Sequence, residues 1–582
     1  MSPLICRRPV PQTHQLSAAI PPLLQRILAA RSVSSDADIS LSFKTLLPPN
    51  QLAGIDAAVA LLIAQLESQG RVLIVSDFDA DGATSCALAL RALRAMGFQH
   101  VDYIVPNRFE YGYGLTPEIV TLAKQKQPDL LLTVDNGISS VEGVAAAHAQ
   151  GMQVLITDHH LQGRELPKAD AIVNPNQHIC DFPSKSLAGV GVVFYVLAAL
   201  RSALRERNWF EQSAIAEPNL ASYLDIVALG TVADVVALDR NNRILVSEGL
   251  KRIRAGRACA GINALLTIGK RNPENLVASD LGFAVGPRLN AAGRLDDMSL
   301  GIECLLCDDP KQAMQMAQEL DAMNQQRKTI ETDMRNQAME VLASLSLEET
   351  QMPAGLSLYN AQWHQGVIGI LAARIKERYH RPVIAFADAG SDASASGELK
   401  GSARSIPGLH IRDVLDTVAT QNPGLISRFG GHAMAAGLSL RKQDLTRFSD
   451  AFEQVVASQL SEDDLQARLV TDGALETSDL NLSNAELLRQ YGPWGQHFPE
   501  PSFDGEFLIA QYRVLGGAHL KLVLCPVDDK QCLLDAIAFN IDTAAWATCN
   551  NWRVRVVYRL DVNEFRGQRN LQLLIEHIEV CE

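Results

Sequence analysis

The chain has 582 residues, of which 47% are hydrophobic and 20% are charged, and its formal net charge is −14. This length indicates about three or four domains of roughly 100–200 residues each, and the composition is that of a globular rather than a disordered protein. The negative charge argues against a generally basic nucleic-acid-coating protein, but it is compatible with a nucleic-acid enzyme that carries a local basic track.

The opening segment MSPLICRRPVPQ has two arginines but no apolar stretch after them, so it does not resemble a signal peptide. The longest apolar run, residues 190–200, is shorter than the about 20 residues that a membrane-spanning helix needs. The ten cysteines lack the spacing of a disulfide framework, as is typical of reduced thiols in the cytosol. We therefore expect a cytoplasmic protein without a membrane segment.

Four apolar, strand-like runs follow one another from residue 71, at 71–77, 101–106, 129–135 and 152–158. Helix-like stretches separate them, and one of these begins with Thr116-Pro117, a favourable N-cap and first helical residue. Continuous apolar strands that alternate with helices predict a doubly wound parallel sheet, which makes this part of the chain α/β.

The remaining chain divides by pattern into further parts. Residues 310–348 form a periodic run without internal proline or glycine, which predicts one long connecting helix. A second, smaller α/β domain is expected at 349–460. Short β-type runs with glycine and asparagine turns predict a small barrel of the oligonucleotide-binding (OB) type at 468–582. The first α/β domain then covers 70–309, and the role of an N-terminal extension, 1–69, stays open.

Acidic residues and two histidines follow three of the predicted strands: Asp77, Asp79, Asp81, Asp135, Asp158, His159 and His160. Ligands of an open parallel sheet bind outside the carboxyl ends of its strands, so these side chains should gather at one edge. A solvated acidic turn would explain one such cluster. Carboxylates and imidazoles at three strand ends instead favour divalent ions, Mn²⁺ or Mg²⁺. Their number suits two ions, the arrangement that hydrolyses phosphate esters.

Several segments resemble the ordered motifs of the DHH phosphoesterase family: SDFDADGATS (76–85), TVDNGISS (133–140), TDHH (157–160) and LDIVALGTVADV (224–235). The segment GGHAMAAG (430–437) resembles the signature of the companion DHHA1 domain. GPRLNAAGRLDD (286–297), WHQGVIGI (363–370) and the β-rich tail are similar to segments of the family's bacterial single-strand-specific exonucleases. The resemblance covers about residues 70–580, so 70–309 would be the DHH domain and 349–460 the DHHA1 domain.

The resemblance implies that six side chains bind two metal ions: Asp77, Asp79, Asp81, Asp135, His159 and Asp225. Asp77, Asp79 and Asp135 would serve one ion. Asp81, His159 and Asp225 would serve the other, with Asp135 as the bridge. Asp158 would support the ring of His159, and His160 would donate to a phosphate oxygen. The implied catalytic residues are Asp81, Asp135, Asp158, His159 and His160. His160 can also be an inert neighbour of a ligand, and Asp234 either orients a ligand or caps a helix.

The resemblance also assigns substrate contacts to ten residues: Arg108, Tyr113, Arg288, Asn290, Arg294, Ser402, Arg404, Gly430, Gly431 and His432. Guanidinium groups bind phosphate oxygens in pairs, aromatic rings stack on bases, and paired glycines let the backbone approach a ligand. For any single arginine the alternative is an ion pair with a nearby carboxylate. The basic run KRIRAGR (251–257) is either an electrostatic track or a solvated helix face.

The function implied by the resemblance is a single-stranded-DNA-specific 5′→3′ exonuclease that releases 5′-mononucleotides by two-metal-ion hydrolysis, in DNA recombination and repair. Its implied partners are single-stranded DNA, a single-stranded-DNA-binding protein and a RecQ-type helicase, and we expect a monomer. Two alternatives remain. A phosphodiesterase of short oligonucleotides or cyclic dinucleotides would share the metal site but would not need the β-rich tail. A non-catalytic replication factor would have no use for the carboxylates.

Overall fold

The computed structural model describes residues 3–11, 15–107, 114–163, 165–344, 352–389, 397–546, 549, 552–565 and 567–581. The chain forms two compact units, Met1–Cys6 with Asn324–Val470, and Arg7–Met323 with Thr471–Glu582. Within the described ranges, no single helix is long and apolar enough to cross a membrane. One pair of helical segments, Phe43–Gln51 and Ile55–Ser68, passes that test only together and is bent by 84°.

The strands are, in chain order, β1 Leu4–Arg7, β2 Val72–Ser76, β3 Val101–Ile104, β4 Leu130–Val134, β5 Gln153–Thr157, β6 Ala171–Val173, β7 Leu356–Tyr359, β8 Val383–Asp388, β9 Glu398–Arg404, β10 Arg428–Gly431, β11 Ala435–Arg441, β12 Arg468–Thr471, β13 Phe503–Leu515, β14 His519–Pro526, β15 Leu534–Ala538, β16 Arg553–Phe565 and β17 Gln568–Val580. The α-helices of eight or more residues are Pro22–Ala29, Ile55–Ser68, Ala80–Ala95, Pro117–Lys124, Val141–Ala149, Gly189–Glu206, Leu224–Ala233, Arg240–Arg254, Ala260–Ile268, Gly286–Leu295, Ser299–Leu306, Pro310–Ser344, Ile368–Tyr379, Ile411–Gln421, Leu445–Gln459 and Leu482–Gln490.

The first sheet is parallel throughout, in the order β3-β2-β4-β5-β6. Every residue of β2 and β4 is buried, because helices cover both faces of a doubly wound sheet. The four predicted strands are confirmed as β2 to β5, whereas β6, only three residues long, was not predicted. The chain passes from β2 to β3 on one side and returns to β4 on the other. The order therefore reverses between β2 and β4, where such sheets bind their ligands.

The second unit contains a five-stranded mixed sheet in the order β10-β11-β9-β8-β7. Its β7 and β8 are parallel and the other pairs are antiparallel, which fits the predicted smaller α/β domain. The predicted long helix, 310–348, is confirmed over Pro310–Ser344, while residues 345–348 lie outside the described residues. The boundary between the two units falls within this helix.

The C-terminal strands form the predicted barrel, in the order β13-β14-β15-β17-β16, and β16 pairs with β13 to close it. The barrel belongs to the same unit as the parallel sheet. Because β13 and β16 pair with each other, the described barrel strands present no unpaired strand edge to another chain.

Part of the N-terminal extension is tied to the segment that precedes the barrel. Arg31 donates two hydrogen bonds to the carboxylate of Asp472, at 2.6 and 2.8 Å, and both side chains are almost fully buried. The Arg31 guanidinium also lies 5.5 Å from the ring centre of Trp494, which stacks on Phe498. Arg243, from the helix Arg240–Arg254, covers the Phe498 ring at 4.1 Å. The extension, the pre-barrel segment and the sheet domain are thus held together by stacked cations and rings.

We expect Arg31→Ala to lower the urea midpoint of unfolding, because it leaves the buried Asp472 carboxylate with a distant cation, Arg8 at 3.7 Å, and one backbone donor, the N–H of Ser502 at 3.1 Å. Removing one member of a buried ion pair costs about 3–5 kcal/mol. Arg207→Ala, which removes an exposed pair with Glu67, serves as the control and should cost about 1 kcal/mol or less. Equal effects of the two substitutions would contradict a structural role for the buried pair.

Candidate metal centre

The loop after β2 presents the first carboxylates. Asp79 caps the helix Ala80–Ala95, and its Oδ1 accepts hydrogen bonds from the N–H groups of Asp81 and Gly82, at 2.9 and 3.1 Å. Asp77 is buried, and a Cβ at position 82 would lie only 2.5 Å from its carbonyl oxygen. Glycine at position 82 therefore allows the helix to begin directly against the loop.

Asp81 and Asp135 are each 1% exposed. The N–H groups of Gly189 and Val190, at the start of the helix Gly189–Glu206, donate to the two carboxylate oxygens of Asp81 at 2.6 and 2.9 Å. This helix N-terminus favours the charged carboxylate. Asp135 has a left-handed backbone, with φ of 62°, and a Cβ on Gly189 would lie 2.7 Å from the Asp135 Cβ. Gly189 thus lets the two carboxylates approach the same helix end.

The segment after β5 positions both histidines. The carboxylate of Asp158 accepts hydrogen bonds from the backbone N–H of Ile138, at 2.9 Å, and from Nδ1 of His160, at 2.7 Å. The expectation that Asp158 supports the ring of His159 is therefore corrected, since the carboxylate bonds the ring of His160. Asn174, just after β6, donates to the carbonyl of His160 at 2.9 Å, and Asn176 donates to that of His159 at 2.5 Å.

His159 reaches carboxylates from two other elements. Its Nε2 lies 3.1 Å from Oδ1 of Asp135 and 3.4 Å from Oδ2 of Asp234. Asp234 is the C-cap of the helix Leu224–Ala233. It therefore both caps a helix and faces the candidate ligand His159, so the two alternatives given for this residue are compatible.

The structure contradicts the assignment of Asp225 to the second ion. Asp225 lies in the first turn of the helix that ends at Asp234, and nine residues of helix separate the two backbones by about 13 Å. Its carboxylate is engaged there by Arg252 Nε at 3.3 Å and by the N–H of Cys259 at 2.7 Å. Asp234, and not Asp225, joins the cluster.

Mutual repulsion and burial shift the ionisation of the cluster. Burial, and next the charge of Asp234, raise the pKa of Asp81 to about 7. Burial and neighbouring carboxylates raise the pKa values of Asp135 and Asp234 well above their ordinary range. Burial opposes charge on His160 as well, but the hydrogen bond to Asp158 raises its pKa to about 9.

The described residues fit divalent ions. Three groups place their donor atoms within 4.8 Å of one another: Asp77, Asp79 and Asp135; Asp81, His159 and Asp234; Asp135, His159 and His160. Nε2 of His159 and Oδ2 of Asp234 are buried and have no hydrogen-bond partner in the part of the chain that the structure describes. Leaving such atoms without partners is costly, and a cation coordinated by both would offset that cost.

The predicted substrate residues 288, 290 and 294 lie on the helix Gly286–Leu295. Arg288 is buried, and its Nη2 pairs with Asp321 at 2.8 Å, so part of its guanidinium is already engaged within the protein. Asn290 Oδ1 accepts a hydrogen bond from the N–H of Ala80 at 2.8 Å, which fixes the loop that carries the candidate ligands Asp77 and Asp79. Arg294 is half-buried in the last turn.

In the second unit, Ser402 and Arg404 share β9, and an Arg404 nitrogen donates to the Ser402 hydroxyl at 3.1 Å. The strand β10 carries Gly430 and Gly431 on the other side of β11, where they pair with residues 437 and 436. The N–H of His432 donates to the carbonyl of Ala435 at 2.8 Å, and Ala435 is the register partner of Arg404. The predicted residues of this domain are thus neighbours on one sheet.

Two predicted residues, Arg108 and Tyr113, lie outside the described residues. The run at 251–257 ends the helix Arg240–Arg254. Lys251 pairs with Glu248, Arg252 with Asp225, and Arg254 donates to the carbonyl of Leu276. These internal contacts favour a structural helix face over a free basic track.

Some residues of the site were missed by sequence reasoning. Asn174 and Asn176 follow the short β6, and their position after a strand end was a usable signal. Gly369, in WHQGVIGI, lies against the predicted phosphate residues, because a Cβ there would be 2.8 Å from an Arg404 nitrogen and 2.9 Å from the Ser402 hydroxyl. Periodicity alone gave no signal for Gly369 or for the contact of Gly189 with Asp135.

Comparison with known proteins gives matches along most of the chain. Models of the DHH family N-terminal domain, the DHHA1 domain and the RecJ OB domain match residues 71–231, 352–458 and 471–577. The single-stranded-DNA-specific exonuclease RecJ of Salmonella typhimurium is 54% identical over 572 residues, which cover 98% of each protein. The crystal structure of Thermus thermophilus RecJ with Mn²⁺ superposes with a TM-score of 0.76 at 27% identity, covering 98% of this chain and 80% of that one. The structure with Mg²⁺ gives a TM-score of 0.71 at 26% identity, with 98% and 79% coverage.

We expect the affinity for Mn²⁺ to fall as the pH is lowered from 8 to 6. Without ions the pKa of Asp81 is about 7, so below that pH a proton occupies the carboxylate and the ion must displace it. Each proton displaced lowers the apparent affinity by up to about tenfold per pH unit. Calorimetry in buffers of different ionisation enthalpy measures both the affinity and the protons released. A pH-independent affinity without proton release would contradict the shifted carboxylates.

We expect Asp234→Asn to lower the affinity for Mn²⁺ and Asp225→Asn to lower the thermal stability instead. Asp234→Asn removes a charge that faces His159 and should weaken Mn²⁺ binding more than about tenfold. Asp225→Asn should leave Mn²⁺ affinity within about twofold but lower thermal stability, since it weakens a buried contact with Arg252. Calorimetric titration and thermal unfolding distinguish the two. Loss of Mn²⁺ affinity in the Asp225 variant but not in the Asp234 variant would support Asp225 as a ligand of the second ion.

Proposed function

This chain belongs to the RecJ family of single-stranded-DNA-specific exonucleases, and on that basis we propose that it degrades single-stranded DNA from the 5′ end with Mn²⁺ or Mg²⁺ as cofactor. The product is a 5′-mononucleotide at each step. The observation that carries the proposal is the convergence of five carboxylates and two histidines at the reversal point of the parallel sheet.

Two sets of side chains would hold the ions. Asp77, Asp79 and Asp135 form one set, and Asp81, His159 and Asp234 form the other. Asp135 belongs to the first set and lies 3.1 Å from His159 of the second, which suits a shared ligand. Both oxygens of Asp81 accept backbone hydrogen bonds. Because an ionised carboxylate has about four lone-pair sites, it can still bind a cation while it keeps these two hydrogen bonds. When bound, two such ions activate water and neutralise charge on the phosphate.

His160 would act on the phosphate. Its Nδ1 is held by Asp158, which fixes the ring plane and, without ions, raises the pKa of His160 to about 9. A charged imidazole beside the ions would donate a hydrogen bond to a phosphate oxygen as negative charge develops there. Asp158 is thus a positioning residue for His160.

Other parts of the chain would hold the strand. Ser402, Arg404 and the segment 430–432, neighbours on one sheet, would bind a phosphate of the DNA. Arg288 and Arg294, on the helix beside the metal-binding loop, would contact the backbone. The barrel would bind unpaired nucleotides by stacking and charge, as OB folds do. Arg108 and Tyr113 would also contact the strand, and for these two residues the proposal rests on the sequence alone.

The finer assignments rest on the resemblance and are part of the proposal. They are the domain bounds 70–309, 349–460 and 468–582, a role in DNA recombination and repair, and a cytoplasmic location. They also include a monomeric state and cooperation with a single-stranded-DNA-binding protein and a RecQ-type helicase.

The decisive experiment follows a single-stranded oligonucleotide labelled at the 5′ or the 3′ end, with Mn²⁺ or Mg²⁺. We expect immediate release of labelled mononucleotide from the 5′ label and gradual shortening of the 3′-labelled strand, with duplex DNA spared. Asp81→Ala should lose at least about 100-fold in rate, because the metal site loses a buried ligand. Absence of cleavage with either ion would favour the non-catalytic alternative, and efficient cleavage of only dinucleotides would favour the short-substrate phosphodiesterase.

Asp416→Ala is the matched control, because Asp416 is exposed on the helix Ile411–Gln421. It should keep full activity. Circular dichroism of the Asp81 variant separates a lost metal ligand from a lost fold.

A further inference from the structure

The residue that follows the candidate ligand Asp234 has an unusual conformation. Val235 has φ of 62°, a left-handed region that β-branched side chains adopt only with backbone strain. Its side chain is also 64% exposed, so burial of the valine does not offset this strain. Glycine would adopt the same backbone without strain.

The neighbouring backbone holds Val235 in place from both sides. The N–H groups of Asp234 and Val235 donate to the carbonyls of Gly230 and Val232, at 2.9 and 3.3 Å. Further on, the carbonyl of Ala237 accepts a hydrogen bond from Asn242 at 2.9 Å, and the N–H of Leu238 donates to the carbonyl of Gln496 at 2.8 Å. The strained residue is therefore fixed beside the metal centre, with its apolar side chain directed outward.

A second exposed apolar side chain lies on a segment packed against the same helix end. Phe283 is 83% exposed on the π-helical turn Leu281–Val285, a type of turn often found at functional sites. This turn lies close to the last turn of the helix Leu224–Ala233, since a Cβ on Gly282 would be 3.2 Å from Val232 and one on Gly286 would be 3.2 Å from Ala233. The helix that follows is tied to the metal-binding loop by Asn290.

We propose that Val235 and Phe283 bind the faces of unpaired nucleobases in the substrate strand beside the metal centre. The inference rests on the proposed function and adds two substrate-positioning residues to it. The occupant follows from continuity with the site: a strand whose phosphate is at the ions carries its bases within a few ångströms, and each base offers an apolar face. In a duplex those faces are covered by stacking on the neighbouring base pairs. The two side chains thus favour single strands.

The test compares two oligonucleotides, one unmodified and one with abasic sites at the three 5′-terminal nucleotides. The proteins are the unmodified chain, Val235→Gly and Phe283→Ala. KM is measured with Mn²⁺, and Kd is measured separately with EDTA, so that binding is scored even without cleavage. Val10→Ala, which shortens an exposed valine (44%) in the N-terminal extension, outside the metal centre and the barrel strands, is the control for loss of an exposed apolar side chain.

On the unmodified oligonucleotide we expect KM and Kd to rise about tenfold for Phe283→Ala, within the range for loss of an aromatic ring stacked on a base. For Val235→Gly, which removes a smaller aliphatic contact, we expect a rise of about threefold. On the abasic oligonucleotide both variants should lie within about twofold of the unmodified protein, because the contact is already absent. The control should match the unmodified protein on both.

The proposal is overturned if both variants bind the unmodified oligonucleotide with the Kd of the parent protein. It is also overturned if their Kd values rise by the same factor on the unmodified and the abasic oligonucleotide. The first result, together with a higher melting temperature of Val235→Gly, would show that the valine only carries strain. Failure of the parent protein to cleave DNA would count against the proposed function, while the Kd comparison would still decide this inference.

Discussion

Electrostatic repulsion among the carboxylates at the edge of the parallel sheet is the constraint on which the rest of the site depends. Two unit charges 4 Å apart repel by about 4 kcal/mol at the effective dielectric constant of a protein surface, and Asp77, Asp81 and Asp135 are nearly excluded from water. Without ions, protons must occupy some of these groups, as the raised pKa values of Asp81 and Asp135 indicate. Divalent cations bound to these carboxylates would replace those protons, which would couple metal binding to pH at this edge.

The surrounding chain is built to keep these charges close together in spite of their repulsion. The start of the helix Gly189–Glu206 directs two N–H groups at Asp81, and Gly189 leaves the space that Asp135 fills. Asn290 fixes the loop that carries Asp77 and Asp79. These contacts are made mostly by backbone groups of rigid elements, which hold ligands more accurately than mobile side chains would.

The unit that contains the metal centre also contains the barrel. The stacked group of Arg31, Trp494, Phe498 and Arg243 joins the part of the N-terminal extension around Arg31 to the pre-barrel segment and to the sheet domain. This part of the extension therefore has a structural role. The candidate catalytic residues and the proposed strand-binding surface of the barrel therefore belong to one compact unit.

The sequence by itself determined the α/β sheet, the long helix, the barrel and most members of the metal cluster. Strand periodicity is a local property, and parallel strands place residues 77–81, 135 and 158–160 at the same edge whatever the details of packing. Only the tertiary structure decided between Asp225 and Asp234, because both lie on one apolar helix and the choice depends on which end of that helix meets His159. It also decided that Asp158 bonds His160 and that Arg288 pairs with Asp321. These partners come from other elements or depend on side-chain rotamers, and no pattern of neighbouring residues encodes them.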